Sequence, residues 1–203
     1  MMKRRLLRIA MGSLIGLAVA FLAAWQISRV TQSPLVAGST SGSAQVGGPF
    51  TLVDHTGATV TERDFAGRYL LVYFGYSFCP DVCPTDLQVL AQTMDHLGPD
   101  ADLVQPLFVT IDPARDTPEA LAGYVGLFHP RLVGLTGTPE QVAQAASAYK
   151  VYYAKAGDDP DYYLMDHSSF IYLMGPDGKF LDVFPRGAAP ERIAEKVRER
   201  AGR

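Results

Sequence analysis

The 203-residue chain holds two cysteines, in Tyr73-Phe74-Gly75-Tyr76-Ser77-Phe78-Cys79-Pro80-Asp81-Val82-Cys83-Pro84-Thr85-Asp86. An apolar, aromatic run breaks into the pair, and the Pro-Thr-Asp that follows suits the first turn of a helix. If Cys83 begins that helix and Cys79 sits on the turn before it, their side chains converge, because positions four apart share a helical face. Such a pair can close a disulfide, whose Cα atoms lie about 4.4–6.8 Å apart, or clasp a soft metal ion between thiolates. A helix N-terminus favours the anion, so both thiols are expected to have lowered pKa values. An inert structural disulfide is the plainer alternative for an exported chain with two cysteines.

Composition narrows the setting. Residues 1–8 carry Lys3, Arg4, Arg5 and Arg8 with no acid, and 9–27 is an uncharged run of apolar and small residues. That run is close to the roughly 20 residues that span a bilayer core and longer than a usual signal-peptide core. It predicts a cytoplasmic basic tail over 1–8 and a transmembrane anchor over 9–27. The positive flank stays in the cytoplasm, which places everything after Arg29 on the extracytoplasmic side, the periplasm in a bacterium. The competing reading is a cleaved signal peptide, with Ala18-Val19-Ala20 or Leu22-Ala23-Ala24 as the small-residue site. Residues 28–47, rich in serine, threonine and glycine, read as a flexible linker. Of the 18 basic residues five precede Gly48, whereas all 21 acids follow it; the domain over 48–203 therefore has 13 against 21, a net of −8. That balance excludes nucleic acid as a partner.

The elements that must position the cysteines follow in order. Residues 50–54 and 58–61 flank His55-Thr56-Gly57, a hairpin signal, and Tyr69 to Tyr76 reads as a strand buried on both faces. Leu87, Leu90, Ala91, Met94 and Leu97 repeat at helical spacing up to Gly98-Pro99, and a second buried strand runs from Leu103 to Ile111. Thr117-Pro118 and Thr138-Pro139 each predict a capped helix start, with a short strand at 132–135 between those helices. Tyr152 to Met165 reads as irregular. A hairpin over 170–184 turning at Pro176-Asp177-Gly178 and a helix from Pro190 to about Arg200 close the chain. Strands alternating with helices predict an α/β domain.

A strand, a cysteine pair at the next helix start, a βα unit, a hairpin and a terminal helix resemble the thioredoxin superfamily. The expected fold is thus thioredoxin-like α/β, with an N-terminal hairpin extension, preceded by one transmembrane helix. Two features depart from ordinary thioredoxins: three residues separate the cysteines, and the usual cis-proline position reads Asp166-His167-Ser168-Ser169. With Asp112-Pro113-Ala114-Arg115-Asp116-Thr117-Pro118-Glu119 and Tyr163-Leu164-Met165, these segments resemble the Sco (SenC) family of membrane-anchored copper proteins that serve cytochrome c oxidase assembly.

That resemblance implies a copper chaperone binding one copper, as Cu(I) or Cu(II), through Cys79, Cys83 and His167. Its acceptor would be the copper-bearing subunit of cytochrome c oxidase, with a periplasmic copper donor upstream. Two thiolates and an imidazole suit Cu(I), whereas zinc wants a fourth ligand. Asp166 is expected to support the site from beside the histidine, and Met165 to be core. His55, His96 and His129 read as solvated surface residues. The 112–119 loop, at a strand's carboxyl end, is expected to shape a docking surface, although helix capping explains half of it. The alternative function is a thiol–disulfide oxidoreductase that uses Cys79 and Cys83 to reduce the acceptor's cysteines. A peroxidase is the third reading, since Val82-Cys83-Pro84-Thr85 is similar to a peroxiredoxin nucleophile. Pro80 and Tyr76 stand where that family has a threonine and a proline.

Overall fold

The computed structural model describes residues 45–157, 159 and 162–203, together with Phe21, Leu22, Trp25 and Gln26. The tail, anchor and linker expected over 1–47 lie outside the described residues except for those four, which are helical, and 45–47. Among the described residues no helix is long and apolar enough to cross a membrane. The chain divides into two units, Met1–Ser43 and Ala44–Arg203, and the second carries the fold.

That unit opens with the expected hairpin, β1 (Thr51–Asp54) and β2 (Thr59–Thr61), joined across Gly57 at a φ of +88° that suits a residue without Cβ. Then come β3 (Tyr69–Gly75), α1 (Val82–Leu97), β4 (Val104–Thr110), α2 (Pro118–Val125), β5 (Val133–Thr136) and α3 (Pro139–Ala148). After them lie β6 (Tyr153–Ala156), β7 (Leu164–His167), β8 (Phe170–Met174), β9 (Phe180–Pro185) and α4 (Pro190–Ala201). Seven strands form one sheet in the order β2-β1-β5-β4-β3-β8-β9. β3 runs parallel to β4 and antiparallel to β8 inside the sheet, and its residues from Leu70 to Gly75 are buried in succession on both faces, which explains its almost unbroken apolar sequence.

The helices start where their caps predict. The Thr117 hydroxyl accepts from Ala120 N at 3.3 Å, and Thr138 and Gln141 form a reciprocal capping box. Leu87, Leu90, Ala91, Met94 and Leu97 of α1 are buried, as are Ile193, Ala194 and Val197 of α4, the helix packed beside it. Burying each large apolar side chain is worth roughly 1.5–3 kcal/mol. The α-helix ends at Leu97 as expected, although the chain turns once more as a 3-10 helix over Gly98–Leu103.

One expectation fails in part. Within Tyr152 to Met165, Tyr153–Ala156 is strand β6 and Leu164 begins strand β7, and the two pair antiparallel as a separate two-stranded sheet, with His167 opposite Tyr153. Each strand has only four residues, and the exposed Leu164 between buried Tyr163 and Met165 hides the alternation.

Candidate metal centre

β3 ends at Gly75, and the chain turns through Cys79 into α1, which places Cys83 in its first turn. Cys83 is fully buried, Cys79 is partly exposed, and both are free thiols. The Cys83 sulfur lies over Gly75: a Cβ there would come within 2.8 Å of Cys83 Sγ and 2.9 Å of Tyr73 Cε1. The glycine that interrupts the aromatic run is therefore what lets the sulfur sit against the sheet. Cys79 Sγ in turn accepts the backbone N–H of Cys83 at 3.3 Å, one of the free donors at the start of α1.

The two thiols do not share the fate expected of them. Cys79 is lowered to about 3, chiefly by the Cys83 side chain donating to it, with His167 and the backbone N–H adding to the effect. Cys83 is instead raised, because its proton is held by the Cys79 thiolate and its burial disfavours charge. A helix N-terminus favours one anion here, not two, since the second charge would have to form in the core beside the first.

His167 ends β7 and closes the third side. Its Nε2 is 3.4 Å from Cys83 Sγ, while Nδ1 donates to the Ser168 carbonyl at 3.1 Å. In the tautomer that keeps its proton on Nδ1 alone, Nε2 would turn a lone pair toward the sulfurs, the arrangement a metal ligand needs. The ring stands edge-on to Tyr73 and Tyr76, with centroids 6.2 and 6.1 Å away. Sulfur and nitrogen donors of Cys79, Cys83 and His167 all lie within 4.8 Å of one another. Bonds of about 2.0–2.3 Å from a central ion to three donors in a plane would space them roughly 3.5–4 Å apart. Small side-chain shifts thus suffice to enclose a soft ion such as Cu(I).

Other expected residues fall as follows. Asp166 is exposed on the outer side of β7, the side opposite the buried Met165. His55 and His129 are half-buried rather than solvated, with their Nδ1 atoms accepting backbone N–H groups of Gly134 and Arg131 at 3.1 Å each; His96 pairs with Glu191. None of these three belongs to the donor cluster.

This arrangement has counterparts. The sequence profile of the SCO1/SenC family matches residues 38–202. The chain belongs to the SCO1/SenC family. It is 49% identical over 160 residues to Protein SenC of Rhodobacter capsulatus, covering 79% of this chain and 72% of that protein. To the mitochondrial SCO1 homolog of Homo sapiens it is 48% identical over 159 residues, 77% of this chain and 53% of that protein. The chain thus spans about half the length of the human relative. The crystal structure of Arabidopsis thaliana ScoI with copper bound superposes with a TM-score of 0.73 at 37% identity, covering 77% of this chain and 98% of that one. The thioredoxin-like α/β architecture expected of the domain is the one found.

In this SCO1/SenC chain the structure adds residues to the site that sequence reasoning passed over. Asp116, fully buried, accepts Ser77 N at 3.0 Å, the Ser77 hydroxyl, and the Thr110 hydroxyl at 2.6 Å. It thereby pins the loop two residues before Cys79. Its Asp-Thr-Pro-Glu setting is fully explained by capping of α2, so nothing local signals the long-range contact. Tyr73 OH and Asp86 Oδ2 are buried behind the cysteines without hydrogen-bond partners among the described residues, and burial raises the pKa of both groups.

Proposed function

We propose that this SCO1/SenC chain is a copper chaperone: Cys79, Cys83 and His167 bind one copper ion and hand it to the dinuclear copper centre of cytochrome c oxidase. The observation that carries the reading is the convergence, within 4.8 Å, of two sulfurs and an imidazole nitrogen from segments 84 residues apart. The copper bound in the Arabidopsis relative supports the ion, and the resemblance to the Sco family supports the acceptor. Burial sets an order for release. Cys79, ionised and partly exposed beside a cleft lined by Leu164, Asp166 and Pro80, is the ligand an incoming thiolate displaces first. Cys83, enclosed over Gly75, lets go last. An anchor over 9–27 would hold the domain on the outer side of the membrane that carries the acceptor.

The alternative is a thiol–disulfide oxidoreductase that reduces the acceptor's cysteines, and the Cys79 thiolate bears on it. A thiol lowered to about 3 stabilises the reduced pair, which makes the disulfide form an oxidant and the dithiol a weak reductant. That favours metal delivery over reduction. The test is copper content of the reduced chain loaded with Cu(I) and with Cu(II), for wild type, Cys79→Ser, Cys83→Ser and His167→Ala, beside oxidase assembly in cells carrying each variant. Metal delivery requires all three substitutions to lose copper and assembly together. Full assembly from a His167→Ala protein that cannot hold copper would establish the redox role instead.

A further inference from the structure

The cysteines and the histidine are supported unequally. Cys79 lies on the turn after β3 and Cys83 in the first turn of α1; β3 is hydrogen-bonded to neighbours on both sides, and Asp116 fixes Ser77 besides. His167 rides on β7, and the β6–β7 pair has no ladder to the seven-stranded sheet. A two-stranded hairpin is marginal by itself. Its C-terminal end is tied by Ser168-Ser169 to β8, but its other end, at Tyr163 and Leu164, needs a tether of its own.

Arg115 supplies it. We infer that Arg115, from the loop after β4, is the positioning residue that holds the histidine strand against the cysteine loop, and so sets the metal geometry without touching the ion. Its guanidinium lies 3.7 Å from the centre of the Tyr163 ring, 4.7 Å from that of Phe78 and 5.7 Å from that of Tyr76. One ring belongs to the histidine segment and two to the turn that leads into Cys79, so a single cation joins both. Nη1 donates to the Tyr163 carbonyl at 3.1 Å, and Nε donates to Asp112, whose other carboxylate oxygen accepts the Tyr163 hydroxyl at 2.7 Å. Guanidinium, carboxylate and phenol thus close a ring of contacts around the start of β7. Nη2 is buried with no hydrogen-bond partner among the described residues, consistent with a group chosen for stacking on aromatic faces.

The inference rests on the reading of Cys79, Cys83 and His167 as the copper ligands, and a double-mutant cycle separates the two. The full chain is titrated with Cu(I) against a chelator and with Cu(II) by electron paramagnetic resonance and sulfur-to-copper absorption, for wild type, Arg115→Met, His167→Ala and the double variant. Arg115→Met should weaken copper about 10–100-fold and alter the Cu(II) spectrum, as loss of a residue supporting a ligand does. In the His167→Ala background it should add no further loss, because it acts through the imidazole. A wild-type spectrum and affinity in Arg115→Met, or a full additive loss in the double variant, overturns the inference. Should circular dichroism find Arg115→Met unfolded, Tyr163→Leu enters the same cycle under the same criteria. If His167→Ala itself binds like wild type, the copper reading falls, and amide exchange in the metal-free chain still judges the brace. Faster exchange at Met165 and His167 in Arg115→Met supports it, and unchanged exchange removes it.

Discussion

The corner where β3 meets α1 and the small β6–β7 sheet contribute to one site by opposite means. The cysteine corner is built into the core: Gly75 pairs with Thr110, Ile111 N donates to Gly75 O at 2.8 Å, and Cys83 has no exposed surface. The histidine strand is applied from outside and held by a handful of bonds, among them Tyr76 OH accepting from Met165 N at 3.1 Å. The contrast suggests a division of labour. One sulfur and its backbone are fixed with the fold, and the third ligand sits where a few local bonds decide its position, the pattern expected of an element that moves when a ligand leaves.

The largest effect should come from filling the space under Cys83. Gly75→Ala puts a methyl 2.8 Å from its sulfur, 2.9 Å from Tyr73 and 3.1 Å from Phe108, in a strand bonded on both sides that cannot yield. Denaturant unfolding should give a loss of about 3 kcal/mol. Unchanged stability would mean that the corner is not rigid and that the contrast is misplaced. Next, Asp116→Ala strands two donors of Ser77 and one of Thr110, and relieves a carboxyl whose pKa burial raises, for a net loss of about 2 kcal/mol in the same measurement.

On the other side of the comparison, Tyr76→Phe leaves Met165 N–H without its acceptor at a cost of about 1 kcal/mol. Because the small sheet opens separately, the loss should be local. Amide exchange at Met165 speeds up several-fold while the global unfolding midpoint barely shifts. A midpoint that drops as far as in Asp116→Ala would show the two regions to be one cooperative unit.

The same contrast accounts for what could be read in the chain. The core side was legible because its signals are local and repeated: the apolar run of β3, the 3.6-residue period of α1, and threonine caps followed by proline at α2 and α3. The cysteine spacing marked the corner, and the motif resemblance, not any periodicity, brought His167 to it. The histidine side was obscure because its order is tertiary. Four-residue strands give too short a pattern, and Asp112, Arg115 and Asp116 look like the approach to a helix cap while their partners are Tyr163, Phe78 and Ser77. The expected lowering of both thiols failed for a related reason. The helix dipole is visible in sequence, but whether two sulfurs share one proton depends on how deeply each is buried.

That shared proton supports an effect spread over pH, and because Cys79 is partly exposed, solvent screens it. With a folded pKa of about 3 against an ordinary 9.0, the Cys79 thiolate contributes stability that is complete above pH 9 and lost as pH falls toward 3. Cys83, shifted upward from the same ordinary value of 9.0, stays protonated in both states below about pH 8 and adds almost no slope there, whereas above 9 it takes stability away. The reduced, metal-free chain should therefore gain on Cys79→Ser steadily as pH rises from about 4 to 8. Alkylation reads the same coupling one residue at a time. In wild type Cys79 should react with iodoacetamide at a rate flat between roughly pH 5 and pH 8. In Cys83→Ala the thiolate loses its strongest donor, its pKa climbs, and the rate should rise with pH across that range. A flat profile in Cys83→Ala would mean that the helix N-terminus and His167 hold the charge by themselves, and that the buried sulfur takes no part in preparing the exposed one.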